Sequence, residues 1–590
     1  MRTVTAITLL TMPALTLAQG VGRELNTQKP NSSSYQPLPQ PTAGQEYRLP
    51  PLPQPSASSG AIAGGQQLMV TEIRVEGVTA FEPEVVSSII APYQNRLVSS
   101  AELQTLRLAL TRMYVDGGYV NSGVILPDQQ VSGGVITFRA IEGRLTRIEF
   151  DERSKLAGGY VRPRVEQYLE GPLNVTNLQL ALRNLQQDVN VRRLDARLKP
   201  GDELGQSVLS LSVNDAPRFR VGLGADNHRA SSTGAESGTL LFGVRNLTGF
   251  GEELRASLGI SEGADSGSVV LSVPLTARNS TIQAYYSRSD SDIIERRFAV
   301  LDIESETQTF GATFTLPLQL PGQDGFSVSL GFEAKDSQTR LLGIPFSFSA
   351  GAQDGEAKTS VGLLGVDWLK RGLDSVSNVR LTYRRGLDVL DATIFAPRSD
   401  DERLLNPTGA DGEFDVIQAQ GVYLRRLNGW RWLTPNTQLV VRGTAQYSLD
   451  PLLSLEKLAI GGANTVRGFP ENLLVRDNGI AATVELQIPL FGRTAPHPLN
   501  VELVPFIDYG RSWDDEDTDP GSDVRDSDEA RYIASAGLGV RWNPIAGLDA
   551  QVYWGSDIAN NFDGDDPRAL RERDLQDDGV HFSVTYLARW

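Results

Sequence analysis

From Arg218 to Trp590 apolar and polar residues alternate with a period of two, segment after segment, as in strands with two unlike faces. In RYIASAGLGVRW (Arg531 to Trp542), Tyr532, Ala534, Ala536, Leu538, Val540 and Trp542 share one face. Arg531, Ser535, Gly537 and Arg541 share the other. VHFSVTYLARW alternates Val580, Phe582, Val584, Tyr586, Ala588 and Trp590 with His581, Ser583, Thr585 and Arg589. About sixteen such segments can be marked, among them 414–426, 435–448, 479–489, 500–509, 531–543, 547–555 and 579–590. Connections after even-numbered segments are mostly turns such as NLTGF and NPIAG. Those after odd-numbered segments become long in the second half (337–356, 388–413, 449–478, 511–530, 556–578). A soluble sandwich has no reason to sort its loops by parity. An outer-membrane barrel does, with short turns on one side and long surface loops on the other. The pattern predicts an all-β transmembrane barrel of 16 antiparallel strands over 217–590, lipid outside and water inside.

Ahead of it the texture changes. LMVTEIRVEGV reads as a strand, Glu82 to Tyr93 as a helix, and Ser99 with Glu102 as a capping box opening a second helix that carries Leu103, Leu106, Leu110 and Met113. Two strands follow, Tyr119 to Leu126 and Gly133 to Gly143. The order strand, helix, helix, strand, strand then repeats: Leu145 to Phe150, a helix near Arg162 to Leu169, a helix after Asn174, and strands at Leu194 to Leu198 and Ser207 to Val213. Residues 69–143 and 144–214 are therefore expected to form two small α/β domains. Their edge strands could hold an extended polypeptide by main-chain pairing.

The N-terminus adds an address. Arg2, the apolar run Val4 to Leu17 and Thr16-Leu17-Ala18 read as a signal peptide, residues 1–18. Residues 19–68, rich in Pro, Gln, Ser and Gly, read as an extended linker. Composition narrows the chemistry. The chain of 590 residues has no Cys and only His228, His497 and His581, which leaves thiol, zinc-thiolate and His-rich metal sites without material. Its 72 acidic against 55 basic residues give a net charge of −17, the wrong sign for a nucleic-acid partner. No cofactor and no enzymatic activity is expected. Glu485, Glu502 and Asp508 could be read as paired carboxylates, but lumenal charges in barrels are commonly structural or conductive.

Much of the acidity sits in two late loops: 511–530 has nine acids and two bases, and 556–578 has eight acids and three bases. Such loops suit an outer-membrane lipid surface of lipopolysaccharide bridged by divalent cations. Asp515, Asp517, Asp519 and Gly521 resemble the start of a calcium loop, although the Gly stands one position later than in an EF-hand and position twelve is Asp526.

The long connection 449–478 contains GGANTVRGFPENLLVRDNG, centred on Val466, Arg467, Gly468 and Phe469, and the following strand region contains VPFIDYG, with Phe506, Asp508 and Gly510. These resemble the VRGF/Y loop and the F-x-D-x-G strand of outer-membrane barrels preceded by POTRA domains. The resemblance implies that the loop folds into the lumen and that Arg467 pairs with Asp508. Alternation independently turns Val501, Leu503, Ile507 and Tyr509 to lipid and Asp508 to the lumen, with Glu485 beside it.

Within that superfamily the chain is most similar to the two-partner secretion transporters of the haemolysin secretion/activation family. Gly118-Tyr119-Val120, Pro127 to Gln129, Glu142-Gly143, Asp226-Asn227 and Asn246 to Leu254 match that subfamily, over about 69–590. The resemblance implies two periplasmic POTRA domains that bind the N-terminal secretion domain of a large haemagglutinin-like or haemolysin-like exoprotein. It also implies a barrel that secretes this partner without ATP, and a terminal strand with Phe582 and Trp590 recognised by the barrel assembly machinery. The alternative is an assembly factor that inserts other barrels. Gly20 to Ser34 is short and polar, which departs from the plugging helix common in the family.

Overall fold

The computed structural model describes residues 67–590, apart from 151–153, 297, 321–323, 349–350, 395–405, 407–408, 428–432, 492–496, 498, 515–529, 563–567 and 569–572. The signal peptide, the linker up to residue 66 and the calcium candidates Asp515, Asp517 and Asp519 lie outside the described residues. Two compact units are present. Of the described residues, one is built on those from Gln67 to Pro217 with Asn246–Gly251, the other on Arg218–Arg245 and Glu252–Trp590.

The first unit begins with β1 (Gln67–Val70), β2 (Glu72–Glu76), α1 (Pro83–Ile90), β3 (Arg96–Ser99), α2 (Ser100–Asp116), β4 (Gly123–Ile125) and β5 (Val135–Ile141). The expected capping box is present: Ser99 Oγ accepts from the Glu102 amide at 3.3 Å, and the Glu102 carboxylate accepts from the Ser99 amide at 2.8 Å. Leu103, Leu106, Leu110 and Tyr114 on one side of α2 then bury against Val70, Ile73, Val98, Ile136 and Phe138. The single strand read from LMVTEIRVEGV is two. Thr71 binds Gly133 through its hydroxyl (2.8 Å) and Gly134 through its amide (2.9 Å), so the chain changes sheets there. β1 pairs with β3, a short strand with too few residues to show a period, while β2 joins the sheet β2-β5-β4. The strand expected from Tyr119 starts only at Gly123.

Its second half holds β6 (Arg144–Phe150), α3 (Gly158–Glu166), α4 (Val175–Gln186), β7 (Val191–Pro200) and β8 (Gln206–Asp215), with sheet order β6-β8-β7. α3 starts a turn earlier than expected, because Pro163, which reads as a first-turn residue, sits inside the helix. Asn174 caps α4 by accepting from the Thr176 amide at 2.9 Å. The same Asn174 donates to Gly117 O at 2.9 Å, and the Val175 amide donates to Gly118 O at 2.9 Å, so the helix start is tied to the loop after α2.

The second unit is a closed antiparallel barrel. Its strands are β9 (Phe219–Asp226), β10 (Ser237–Arg245), β11 (Glu253–Ser261), β12 (Ala264–Pro274), β13 (Thr281–Asp292), β14 (Ile303–Pro317) and β15 (Gly325–Leu341). They continue with β16 (Ile344–Pro345), β17 (Glu356–Arg371), β18 (Ser375–Gly386), β19 (Asp415–Arg426), β20 (Gln438–Ser448), β21 (Leu458–Ile460) and β22 (Leu474–Arg476). The last are β23 (Asn478–Pro489), β24 (Val501–Trp513), β25 (Arg531–Trp542), β26 (Leu548–Asn560) and β27 (Val580–Arg589). Leaving aside the short β16, β21 and β22, sixteen strands form the wall, as the alternation predicts. The strands outrun the sequence segments at their loop ends, β15 to Leu341 and β26 to Asn560. Above the lipid the ladder still satisfies the backbone, but the outer face no longer needs apolar residues, so the alternation fades before the strand does.

The seam is made by Arg220–Asp226 of β9 against Ser583–Arg589 of β27. Phe219 and Trp590 exchange main-chain hydrogen bonds of 3.0 and 3.1 Å, and their rings stack on the outside. At the other end of the seam the Asn227 side chain stands in for a peptide, donating to Val580 O (2.9 Å) and accepting from the Phe582 amide (2.8 Å).

Candidate functional site

The loop from Leu449 to Asp477 turns back into the barrel as the hairpin β21–β22, Leu458–Ile460 pairing with Leu474–Arg476. Its apex is shaped by Gly461 and Gly462, both at positive φ, and by Thr465, whose hydroxyl donates to Gly461 O at 2.9 Å. Val466 and Phe469 are fully buried with Ile460, Leu474, Ala481, Ile533 and Phe562, so this part of the loop is fastened by apolar packing to the inner wall.

Between those two anchors, Arg467 is carried onto β24. Its Nε and Nη2 donate to the two oxygens of Asp508, both at 2.9 Å, and its own amide donates to Asp508 at 3.0 Å. Nη1 donates to Glu485 of β23 at 3.1 Å. The guanidinium lies 3.7 Å above the Phe506 ring and 4.8 Å from that of Tyr553. Asp508 and Glu485 side chains are wholly shielded from solvent. A bidentate, fully hydrogen-bonded pair is the arrangement that makes charge tolerable at such depth.

Each position of the strand motif has a physical task here. Phe506 floors the guanidinium, and Asp508 neutralises it. Gly510 leaves room, because a Cβ there would stand 2.5 Å from Ile460 and 2.9 Å from Val466 of the loop. Gly555 of β26 does the same from the other side, where a Cβ would approach Arg467 O to 2.7 Å.

The structure thus brings together Val466, Arg467, Phe469, Phe506, Asp508, Gly510 and Glu485. Phe582 and Trp590 lie apart from them: Trp590 is exposed beside Phe219 at the seam, and Phe582 is half-buried on the outward side of β27. Glu502, read as a possible carboxylate partner, is also buried on β24. Several partners were not legible in the sequence. Glu485 also accepts from Arg442 (3.0 Å), Arg541 (3.2 Å) and Gln487 (2.8 Å), and Arg541 Nε donates to Tyr553 OH at 2.6 Å. Parity had put Arg541 on the polar face, but a strand pattern does not say which carboxylate it meets. Further along the loop, the Glu471 amide donates to Gln576 Oε1 at 3.0 Å, and Gln576 Nε2 donates to Asn227 O and, at 2.7 Å, to Arg229 O. The loop is therefore wired to the seam.

With this geometry described, the chain can be set beside known proteins. Residues 205–542, more than half of it, match the model of the haemolysin secretion/activation protein ShlB/FhaC/HecB family. The chain belongs to this family. Residues 68–143 of the transporter match the POTRA domain, ShlB-type. It is 24% identical to the outer membrane transporter CdiB of Escherichia coli O6:K15:H31 (strain 536 / UPEC), over 84% of this chain and 80% of that one. It is 23% identical to the hemolysin transporter protein HpmB of Proteus mirabilis, over 70% of each. The solved structure of CdiB from Escherichia coli covers 91% of this chain, itself covered to 93%, with a TM-score of 0.63 at 20% identity, a likeness of fold. The protein is thus an outer-membrane transporter of the two-partner secretion class, and POTRA domains of this family are periplasmic.

Proposed function

We propose that this transporter secretes one large partner exoprotein, of the haemagglutinin, haemolysin or inhibition-toxin kind, through its own lumen. The POTRA domains capture the partner's N-terminal secretion domain by main-chain pairing at a sheet edge, where β2, β4, β6 and β7 are edge strands. The Arg467 loop then yields to let the chain pass. The periplasm supplies no nucleotide, and the driving force is folding of the exported chain outside the cell. The acidic surface loops face lipopolysaccharide, and the terminal strand with Phe582 and Trp590 is the signal read by the barrel assembly machinery.

One observation carries this reading: a loop folded into the lumen and held there by a buried, bidentate ion pair, Arg467 with Asp508. A passive pore has no use for such a device, whereas a gate needs a discrete closed state with identifiable contacts. The names of the relatives, transporters of haemolysins among them, support the same class of cargo. The test is secretion by a strain carrying Arg467→Ala. The barrel is expected to insert at parental level while the partner disappears from the medium, and unchanged secretion would sink the proposed role. Proteomics of medium and outer membrane from a deletion strain identifies the partner as the large protein that is lost.

A further inference from the structure

The Arg467 pair holds only one end of the loop. Before reaching its apex, the chain leaving β20 passes over a different sector of the wall, where Leu452 packs against Val361, Phe414 and Val416 of β17 and the β19 region. Glu456 follows. Its side chain is 3% exposed, and its carboxylate receives Lys335 Nζ of β15 at 3.0 Å, Arg384 Nη2 of β18 at 2.6 Å and the Thr359 hydroxyl of β17 at 2.9 Å. Glu333 of β15 shares both cations, at 3.4 Å from Lys335 and 3.1 Å from Arg384. Lys335 also donates to Leu455 O of the loop at 3.3 Å. Two acids and two bases thus neutralise one another, but three of the four belong to the wall and one, Glu456, to the loop.

The two clusters lie on separate sectors. Glu456 meets β15, β17 and β18, and Arg467 meets β23 and β24, so the loop is fastened to two separate parts of the inner wall. We propose that Glu456 is a second latch: its ion pairs with Lys335 and Arg384 hold the root of the loop against β15–β18, and the lumen opens only when both latches are released. The inference rests on the gating role given to the loop above. A loop freed at Arg467 alone remains tethered at Glu456. Moving the root away strips Lys335 and Arg384 of one of their two carboxylates, so the latch has two alternative states rather than a continuum.

The experiment is planar-bilayer conductance of the purified full-length protein, with heat-modifiable migration as the check that the barrel has formed. Glu456→Gln is expected to raise the fraction of time spent open at least about fivefold, the lower end of ordinary coupling between sites. Glu456→Asp, which keeps the charge, is expected to restore most of the closure. Glu333→Gln leaves Glu456 with both its cations and is expected to stay near parental. If Glu456→Gln is no more open than the parent, or if Glu333→Gln opens the channel as much, the cluster is wall structure and the latch is refuted. Should Glu456→Gln fail to form a barrel, Thr359→Val removes only a neutral hydroxyl; a measurable rise in open time supports the latch and none overturns it. Arg467→Ala separates this proposal from the one it rests on. If that variant abolishes secretion while Glu456→Gln is silent, only the second latch falls. If it secretes normally, the gating role itself falls.

Discussion

Arg467 and Asp508, forty-one positions apart in sequence, meet through three hydrogen bonds inside the barrel, one of them from the arginine's own backbone amide. The carboxylate therefore reads both the side chain and the main-chain position of the loop, and a lysine could not reproduce the fork. Removing Asp508 leaves the guanidinium buried with Glu485 as its remaining carboxylate. Asp508→Ala is expected to destabilise the closed loop by about 3–5 kcal/mol, the usual result of orphaning one member of a buried pair. The double variant with Arg467→Ala is expected to cost clearly less than the two single changes added together. Thermal loss of heat-modifiable migration across the four proteins measures this, and simple additivity would show that the two residues do not act as a pair.

Space matters as much as charge. Gly555→Ala puts a methyl group against the carbonyl of Arg467, an overpacking that costs about 1–3 kcal/mol if the loop stays seated. The loop is expected to shift instead, giving a barrel at normal abundance that secretes poorly and conducts more often. Parental secretion by this variant would mean that the loop adjusts without losing its seat.

In the first α/β domain, Glu142 is the candidate for an acid-sensitive contact. Burial works against its ionisation, but hydrogen bonds from the Thr79 hydroxyl and amide, the Ala80 amide and the Tyr114 hydroxyl outweigh it and hold the carboxyl below its ordinary 4.5. A carboxylate depressed in the folded state contributes its stabilisation in full above the unfolded value and loses it as pH falls through the folded one. The domain is expected to become more protease-sensitive only below about pH 4.5, and Glu142→Gln to flatten that dependence. Limited proteolysis of the full-length protein between pH 3 and pH 7, about the span in which carboxylates titrate, follows it directly.

Asn174 serves two partners, capping α4 and reaching Gly117 O across the joint between the two α/β domains. Asn174→Ala is expected to destabilise the second domain by about 1 kcal/mol as a lost cap. It is also expected to speed amide exchange at Val175, which donates to Gly118 O beside it. Faster exchange confined to the first turn of α4 marks the loss of a cap, whereas none at all would show that the joint does not depend on this side chain.

The barrel was legible because a membrane imposes one rule on every strand: Val501, Leu503, Ile507 and Tyr509 had to alternate with inward residues, whatever their partners. The pairing of Arg467 with Asp508 came from resemblance in motif, and alternation could add only that Asp508 faces inward. Parity also put Arg541 inside, but its meeting with Glu485 depends on how neighbouring strands stagger, which no single strand encodes. Glu456 was invisible for another reason. It stands in an irregular stretch with no period, and its partners Lys335 and Arg384 come from strands far away in sequence. β3 was missed because four residues are too few to show a period, and β1 was merged with β2 because the only mark of the sheet change at Thr71 is a single slip of parity, from Leu68 and Val70 to Ile73 and Val75.

Gln576 gives one side-chain amide to two structures at once, accepting from the loop at Glu471 and donating to the backbone beside Asn227, where the first and last wall strands are stitched. The fastening of the cylinder and the fastening of its obstruction thus share a rivet. A barrel whose final strand has not zipped onto the first lacks this one anchor of its loop, while those at Arg467 and Glu456 remain. On the proposed secretory role, a cargo that tugs the loop aside would strain the stitch as well.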